Sequence, residues 1–283
     1  MPGQARGGWS GATLRARTAS APAPPAYSGG VHTELLRDPA VPGADEDAAG
    51  VLGEVAVLLD GAGLPERFRA GCHHSVAWFS HTLAGHLLLA AQDPAVPLRD
   101  ALAAAIAQVA ALHAGECALE RGGPSATVLA ARRREDVLEH LVLCDSSLLL
   151  VGTDGRVERR TDLRVDAVVR QESTAEAIEA RRNAPGGFWV ARHEPEAASH
   201  ALAGSTPCAD LDRVHLVSDG VTRVVDLLGT HDDARLAEDL GADPHGLLAA
   251  LREGERTLPR PARPRKLHDD ATVLTFRLTG TAG

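Results

Sequence analysis

Between residues 65 and 160 the hydrophobic pattern changes its period, and that change constrains the fold more than any other feature of the chain. From Pro65 to Ala91, and again from Pro97 to about Glu120, the sequence is apolar and rich in alanine. Alanine is the best intrinsic helix former, and these stretches are too long for strands, so they predict two helices packed side by side. From residue 125 the segments shorten. Ser125–Ala131, Val137–Leu143, Ser147–Val151 and Arg156–Arg160 are rich in Val, Leu and Thr, with turn signals at Arg134-Glu-Asp136 and Gly152-Thr-Asp-Gly155. Short segments this closely spaced predict an antiparallel meander rather than βαβ units.

Elsewhere the same signals alternate. Glu54–Leu59 reads as a buried strand running into a turn at Asp60-Gly61. Ser173, with Glu176 three residues on, predicts the N-cap of a helix to about Arg182. Strands are expected at Phe188–Ala191, Arg213–Val217 and Thr272–Leu278, and helices at Pro195–Leu202 and Asp243–Arg252. The arginine- and proline-rich segment Arg252–Arg265 reads as a solvated loop, and Arg132-Arg-Arg134 as a solvated hairpin end. Strand groups interleaved with helical pairs make an α+β layered domain. The Pro/Gly-rich stretches are too short and dispersed to divide it, so one domain is expected. Residues 1–12 read as a loose tail and Thr13–Ala19 as an edge strand.

Composition excludes several classes. The formal net charge is −9, so no basic face advertises nucleic-acid binding, and all but one of the 29 basic residues are arginine. The most apolar stretch, Ala101–Leu112, is interrupted by Gln108 and falls far short of a bilayer span, so no membrane partner is expected. Cys72, Cys117, Cys144 and Cys208 show no CxxC and no His partner at zinc-site spacing. They read as small core hydrophobes in a reduced, cytoplasmic setting. His73 and His74 are adjacent, so on a helix they point about 100° apart and do not share a metal comfortably; both read as packed or surface histidines. Trp78, Phe188 and Trp189 read as core.

The acidic residues carry the chemistry. Asp60 follows Val55-Ala-Val-Leu-Leu59, Asp145 follows Leu141-Val-Leu-Cys144, and Asp219 follows Val214-His-Leu-Val-Ser218. Asp269 and Asp270 precede Ala271-Thr-Val-Leu-Thr275, and Glu46-Asp47 lie ahead of the first apolar strand. Carboxylates at the tips of core strands converge more readily than carboxylates scattered on helices, and they make a hard oxygen cage suited to Mg²⁺ or Mn²⁺. Glycine directly after Asp60 and Asp219 permits a sharp turn and the approach of a backbone carbonyl to a metal. Asp154-Gly155, between polar-flanked strands, is a turn and nothing more.

Glu46-Asp47, Leu58-Leu-Asp-Gly-Ala62, Cys144-Asp-Ser146, Val217-Ser-Asp-Gly220 and His268-Asp-Asp-Ala-Thr-Val273 follow the motif order of the metal-dependent type-2C protein phosphatases, which the chain resembles over residues 13–279. Pro124-Ser-Ala-Thr-Val128 and Gly71-Cys-His-His74 with Trp78 add to that resemblance. It implies a four-layer α-β-β-α sandwich of two antiparallel sheets flanked by helices, with residues 280–283 as a short tail. It further implies a centre of two Mn²⁺ or Mg²⁺ ions. Asp60 would bridge them, the Gly61 carbonyl would bind one, Asp219 and Asp269 would hold the other, and Glu46 would act on the second through water. Asp145 would serve a weaker third ion. Two such ions lower the pKa of a bridging water and neutralise phosphate charge in an in-line displacement.

The implied activity is hydrolysis of phosphoserine and phosphothreonine in proteins, against a Ser/Thr kinase pathway. A catalytically degenerate binding module and a small-phosphoester hydrolase are the alternatives. The chain departs from the eukaryotic pattern at Pro42, where an arginine is usual, at Ala62, which replaces histidine, and at Cys144, which replaces glycine. Arg265 and Lys266, close before Asp269, are the candidates for the missing phosphate cation.

Overall fold

A computed structural model describes residues 32–62, 65–264 and 266–278. The expected strand at 13–19, both expected tails and Arg265 lie outside the described residues. The chain begins with β1 (His32–Asp38), β2 (Ala48–Leu52) and β3 (Val55–Leu59), followed by helices α1 (Val76–Ala90) and α2 (Leu98–His113). Four strands come next: β4 (Val128–Arg134), β5 (Val137–Leu143), β6 (Ser147–Gly152) and β7 (Val157–Arg160). Helices α3 (Arg164–Gln171) and α4 (Ala175–Glu179) lead to β8 (Leu202–Pro207) and β9 (Leu211–Val217). Helices α5 (Asp219–Asp226), α6 (Asp233–Ala242) and α7 (Pro244–Thr257) precede β10 (Ala271–Arg277).

The strands form two five-stranded antiparallel sheets, ordered β1-β10-β9-β6-β7 and β2-β3-β4-β5-β8. Their inner faces meet through Ala56, Leu58, Leu129, Leu148, Leu216 and Phe276, all buried. The outer face of the β3 sheet packs on α1 and α2 through Val57, Leu59, Leu83 and Ile106. The outer face of the β9 sheet packs on α5, α6 and α7 through Leu149, Val217, Leu240 and Leu251. Side chains alternate across a strand. Val55, Val57 and Leu59 therefore serve one layer boundary while Ala56 and Leu58 serve the other, which is why β3 is apolar throughout. This is the expected α-β-β-α sandwich.

The meander, however, is split. β4 and β5 pair in one sheet and β6 and β7 in the other, so the chain changes sheets at Cys144-Asp-Ser146. Cys144 takes φ of +72°, a conformation that favours glycine, and so turns the chain between layers. Tight spacing is compatible with a hairpin or a crossover, and only the packing of both faces of β6 decides between them.

Several boundaries also move. The first long helix starts at Val76 rather than Pro65, because Ser75 caps it by accepting from the Trp78 amide at 3.0 Å. The second ends at His113, short of Glu120. Thr174, not Ser173, caps α4, accepting from the Ala177 amide, and that helix ends at Glu179. Phe188–Ala191 forms isolated bridges rather than a strand, and Pro195–His200 is a 3-10 helix. β1, β2, β8, α3, α5 and α6 were not expected, and α7 extends to Thr257 into the segment read as loop. Arg132 is no solvated hairpin end. It is buried, with its guanidinium donating to the Ala91, Asp93 and Val96 carbonyls and paired with Glu139, so it ties β4 to the α1–α2 turn.

Candidate metal centre

Asp60, Asp145, Asp219 and Asp269 meet at one end of the sandwich because of strand direction. β9 runs out into Asp219 and β10 starts just after Asp269-Asp270, and these two strands pair with Val217 opposite Val273. Asp60 leaves β3 in the other sheet, and Asp145 sits on the crossover that joins the sheets. Asp219 opens α5, where the helix N-terminus favours an acid. Its amide reaches Asp60 Oδ2 at 3.4 Å.

The floor beneath them is tied across the sheets. Thr127 Oγ1 and Ser146 Oγ lie 2.6 Å apart, the Asp60 amide donates to Thr127 Oγ1, and the Thr127 amide donates to the Asp60 carbonyl. The Thr161 hydroxyl donates to the Asp145 carbonyl. A cavity of about 340 Å³ opens here, lined by Asp60, Gly61, Asp145, Asp219, Asp269 and Lys266, with Arg182, Arg223 and Phe188 on its walls. A larger hollow of about 960 Å³ lies beside β7 and α6. Its acids face solvent or already hold partners, Asp212 with Arg213 and Asp239 with His231, so it gathers no comparable chemistry.

The carboxylates disfavour one another's charge. Burial pushes Asp60 well above the usual range, and Asp219, Asp47 and Asp145 add to that. Burial, then Asp219, pushes Asp145 up to about 7. Burial, then Asp269, raises Asp219, while Arg223 and Lys266 oppose the rise. Glu46 is raised by burial, with Lys266 and Arg69 pulling it down. Acids crowded this closely are relieved by a cation, and an all-oxygen donor set suits Mg²⁺ or Mn²⁺. The residues therefore fit such a metal.

Glu46 stands at the rim rather than among the cavity-lining residues. Its amide donates to Asp270 Oδ2 and its carbonyl accepts from the Ser80 hydroxyl. Asp270 Oδ1 also accepts from the Ala40 amide, so Asp270 clamps the 40–46 segment over the site. Asp47 is fully buried with no partner for either carboxylate oxygen among the described residues, and burial pushes it up to about 7.

The two glycines are needed for a different reason than the sequence suggested. A Cβ on Gly61 would lie 2.6 Å from the Glu46 carbonyl, and one on Gly220 would lie 1.9 Å from the Asp270 carbonyl. Close approach of neighbouring backbone, not a left-handed turn, excludes side chains there. Gly155 is the turn glycine, with φ of +80° and open space around it.

Two cations escaped the sequence reading. Arg223 lies four residues after Asp219, one turn along α5, and donates to Asp269 Oδ2 at 2.8 Å and to Glu255. That i, i+4 spacing was the available signal. Arg182 pairs with Glu179 and covers the Phe188 ring; nothing in its sequence surroundings pointed to the site. Lys266 donates to Asp269 Oδ1 at 3.1 Å.

The sequence profile of the family described as Protein phosphatase 2C matches residues 42–253. No curated protein matches the chain. Among solved structures, the Mycobacterium tuberculosis serine/threonine phosphatase PstP (Ppp) is 18% identical, covering 88% of this chain and 98% of that one, with a TM-score of 0.55. The PstP catalytic domain in complex with 2 manganese ions is 18% identical, covering 87% and 97%, with a TM-score of 0.52. Stp1 from Staphylococcus aureus is 15% identical, covering 89% and 96%, with a TM-score of 0.55. At these identities the structures bear on the fold, and they share it; the family match extends over most of the chain. The chain therefore belongs to the protein phosphatase 2C family of Mn²⁺- or Mg²⁺-dependent protein serine/threonine phosphatases.

Proposed function

We propose that the chain is a catalytically competent phosphatase that hydrolyses phosphoserine and phosphothreonine at a binuclear centre. Asp60 and the Gly61 carbonyl would hold the ions on the β3 side and Asp219 with Asp269 on the β9–β10 side. Glu46 would act from the rim, and Asp145 would hold a weaker third ion. The observation that carries this reading is the convergence of four aspartates from both sheets on one cavity. When bound, two divalent ions supply an acidified water and neutralise phosphate charge.

The protein's own groups do the rest. Asp270 and Ser80 hold the 40–46 segment, and so Glu46, in register with Gly61. Thr127 and Ser146 lock the two sheets beneath the aspartates, so that they hold position as charge develops. Lys266 and Arg223 offer donors on the cavity wall in place of the cation absent at Pro42, and either can shift from Asp269 to a phosphate oxygen.

The engagement of Asp269 by both cations also favours a second reading, a degenerate binding module, because a metal must compete with them for that ligand. Turnover decides between the two. The reading carries with it a phosphoprotein substrate made by a Ser/Thr kinase and a cytoplasmic setting. It also takes residues 13–279 as one phosphatase domain. The test is Mn²⁺-dependent hydrolysis of a phosphothreonine peptide and of p-nitrophenyl phosphate, with EDTA as control. Asp60→Asn, Asp219→Asn and Asp269→Asn should each abolish it while circular dichroism stays native. Near wild-type turnover in two of the three would overturn the centre, and an inactive wild type would favour the binding module. Activity on the small ester alone would indicate a small-phosphoester hydrolase.

A further inference from the structure

Away from the aspartates, the loop before α1 and the end of α2 bring together two cysteines and two histidines that are scattered in sequence. In sequence the four form two short pairs, Cys72 with His74 and His113 with Cys117, and the pairs lie more than 35 residues apart, so no contiguous zinc motif shows. In the structure one donor atom from each of the four lies within 4.8 Å of every other. Cys72 Sγ is 3.5 Å from His74 Nδ1 and 3.2 Å from His113 Nδ1. Cys117 Sγ is 3.6 Å from His74 Nδ1 and 3.0 Å from Cys72 Sγ.

We infer that Cys72, His74, His113 and Cys117 form a structural Cys2His2 site for a borderline-soft divalent cation, Zn²⁺ by preference. With Zn–S of about 2.3 Å and Zn–N of about 2.0–2.1 Å, tetrahedral ligands stand about 3.6 Å apart for S to N and about 3.8 Å for S to S. The sulfur–nitrogen distances already approach that geometry. The sulfurs need to separate by less than about 1 Å to receive the ion. At 3.0 Å they are too far apart for a disulfide, whose bond is about 2.05 Å.

The scaffold is built to hold the four together. The Ala118 amide donates to the Gly71 carbonyl at 2.8 Å, and the Cys117 amide donates to the His113 carbonyl at 2.9 Å. A Cβ on Gly71 would lie 2.1 Å from the Ala118 carbonyl, so only glycine lets the two segments meet here. His74 stacks on Trp78 with ring centroids 4.0 Å apart, which fixes its ring plane. Cys72 and His113 are buried, while His74 and Cys117 are half-buried, so the site is closed on one side and reachable on the other. The alternative trio of His73, His74 and Glu116 is more exposed and has no thiolate, so it suits zinc less well.

A full set of protein ligands leaves no open position, which makes the site structural rather than catalytic. Binding would release the two thiol protons and cross-link the start of α1 to the end of α2. It would also anchor the segment that follows Asp60-Gly61-Ala62. This inference stands apart from the phosphatase reading, since none of its ligands lines the aspartate cavity.

The test uses the whole protein, purified under reducing conditions and dialysed against a weak chelator that removes loosely held Mn²⁺ and Mg²⁺. Elemental analysis should find zinc close to one equivalent, and a mercurial thiol reagent should release it in step with two thiols. Refolding with Co²⁺ should give intense tetrahedral ligand-field bands and thiolate-to-cobalt charge transfer. Both should be lost in Cys117→Ser and kept in Asp219→Asn. If Cys117→Ser fails to fold, the thiol-linked zinc release from the wild type still decides. Zinc retained in Cys117→Ser, the absence of zinc together with a cobalt spectrum lacking thiolate bands, or a Cys72–Cys117 disulfide in the reduced preparation would each overturn the site.

Discussion

Replacing Asp145 with asparagine should make the metal-free protein more stable as pH rises while making the enzyme less active. Burial and Asp219 raise the Asp145 carboxyl from its ordinary 3.8 to about 7. Between those values the folded chain keeps a proton that the unfolded chain has released, so stability falls as pH rises through the window and is level on either side. At about 1.4 kcal/mol per pH unit, the gap amounts to about 4 kcal/mol. Asp145 retains partial solvent contact, which screens some of this and leaves about 2–4 kcal/mol.

The Asn side chain has the same shape and cannot ionise. The difference in unfolding free energy between variant and wild type should therefore be small near pH 4 and should grow to about 2–4 kcal/mol at pH 8. Titrating groups away from the cavity act on both proteins and cancel in that difference, whereas Asp60, which Asp145 helps to push up, is relieved in the variant and adds to the gap. Urea denaturation followed by tryptophan fluorescence, on protein freed of Mn²⁺ and Mg²⁺, measures it. Saturating Mn²⁺ should shrink the gap, because the ion binds the wild type more tightly. Phosphopeptide turnover should be weakened by Asp145→Asn, but not abolished. A difference that is flat with pH, or a variant less stable at pH 8, would refute the crowding argument.

Gly220→Ala should lose about 1–3 kcal/mol and weaken Mn²⁺ binding, because its Cβ would press on the Asp270 carbonyl and displace Asp269; thermal melts and metal titration check both. Gly155→Ala, in open space, should leave activity untouched. Arg132→Met should cost about 2–4 kcal/mol in urea denaturation, since it strips donors from the Ala91, Asp93 and Val96 carbonyls and leaves Glu139 with only the exposed Arg134 as partner. Removing charge at Arg265 and Lys266 together should raise KM for phosphopeptides several-fold, while metal affinity holds or rises because Lys266 no longer competes for Asp269; an unchanged KM would take the phosphate role from both residues.

The layered α+β class, the apolar character of β3 and the strand-end position of Asp60, Asp145, Asp219 and Asp269 were legible in the sequence alone. Strand periodicity and turn residues are local properties, and an acid that ends an apolar run is visible wherever the run eventually packs. The identity of α5 was not legible, because Asp219-Gly220 reads equally as a hairpin turn and as the first turn of a helix. That choice depends on Val221 and Val224 finding the outer face of the β9 sheet.

Tertiary structure alone decided the rest. The crossover at Cys144 could not be told from a meander until both sheets were present to share β6. Gly61 and Gly220 matter because of chain that passes more than a dozen residues away in sequence, at Glu46 and Asp270. Arg132, read as solvated, is buried by the α1–α2 turn, which lies some 40 residues earlier. The grouping of Cys72, His74, His113 and Cys117 likewise needed α1 and α2 to lie antiparallel, so that the start of one meets the end of the other. Sequence carries the chemistry of each residue and its local conformation. Which residues become neighbours is set by the packing of apolar faces, and that depends on area buried across the whole molecule rather than on any segment of it.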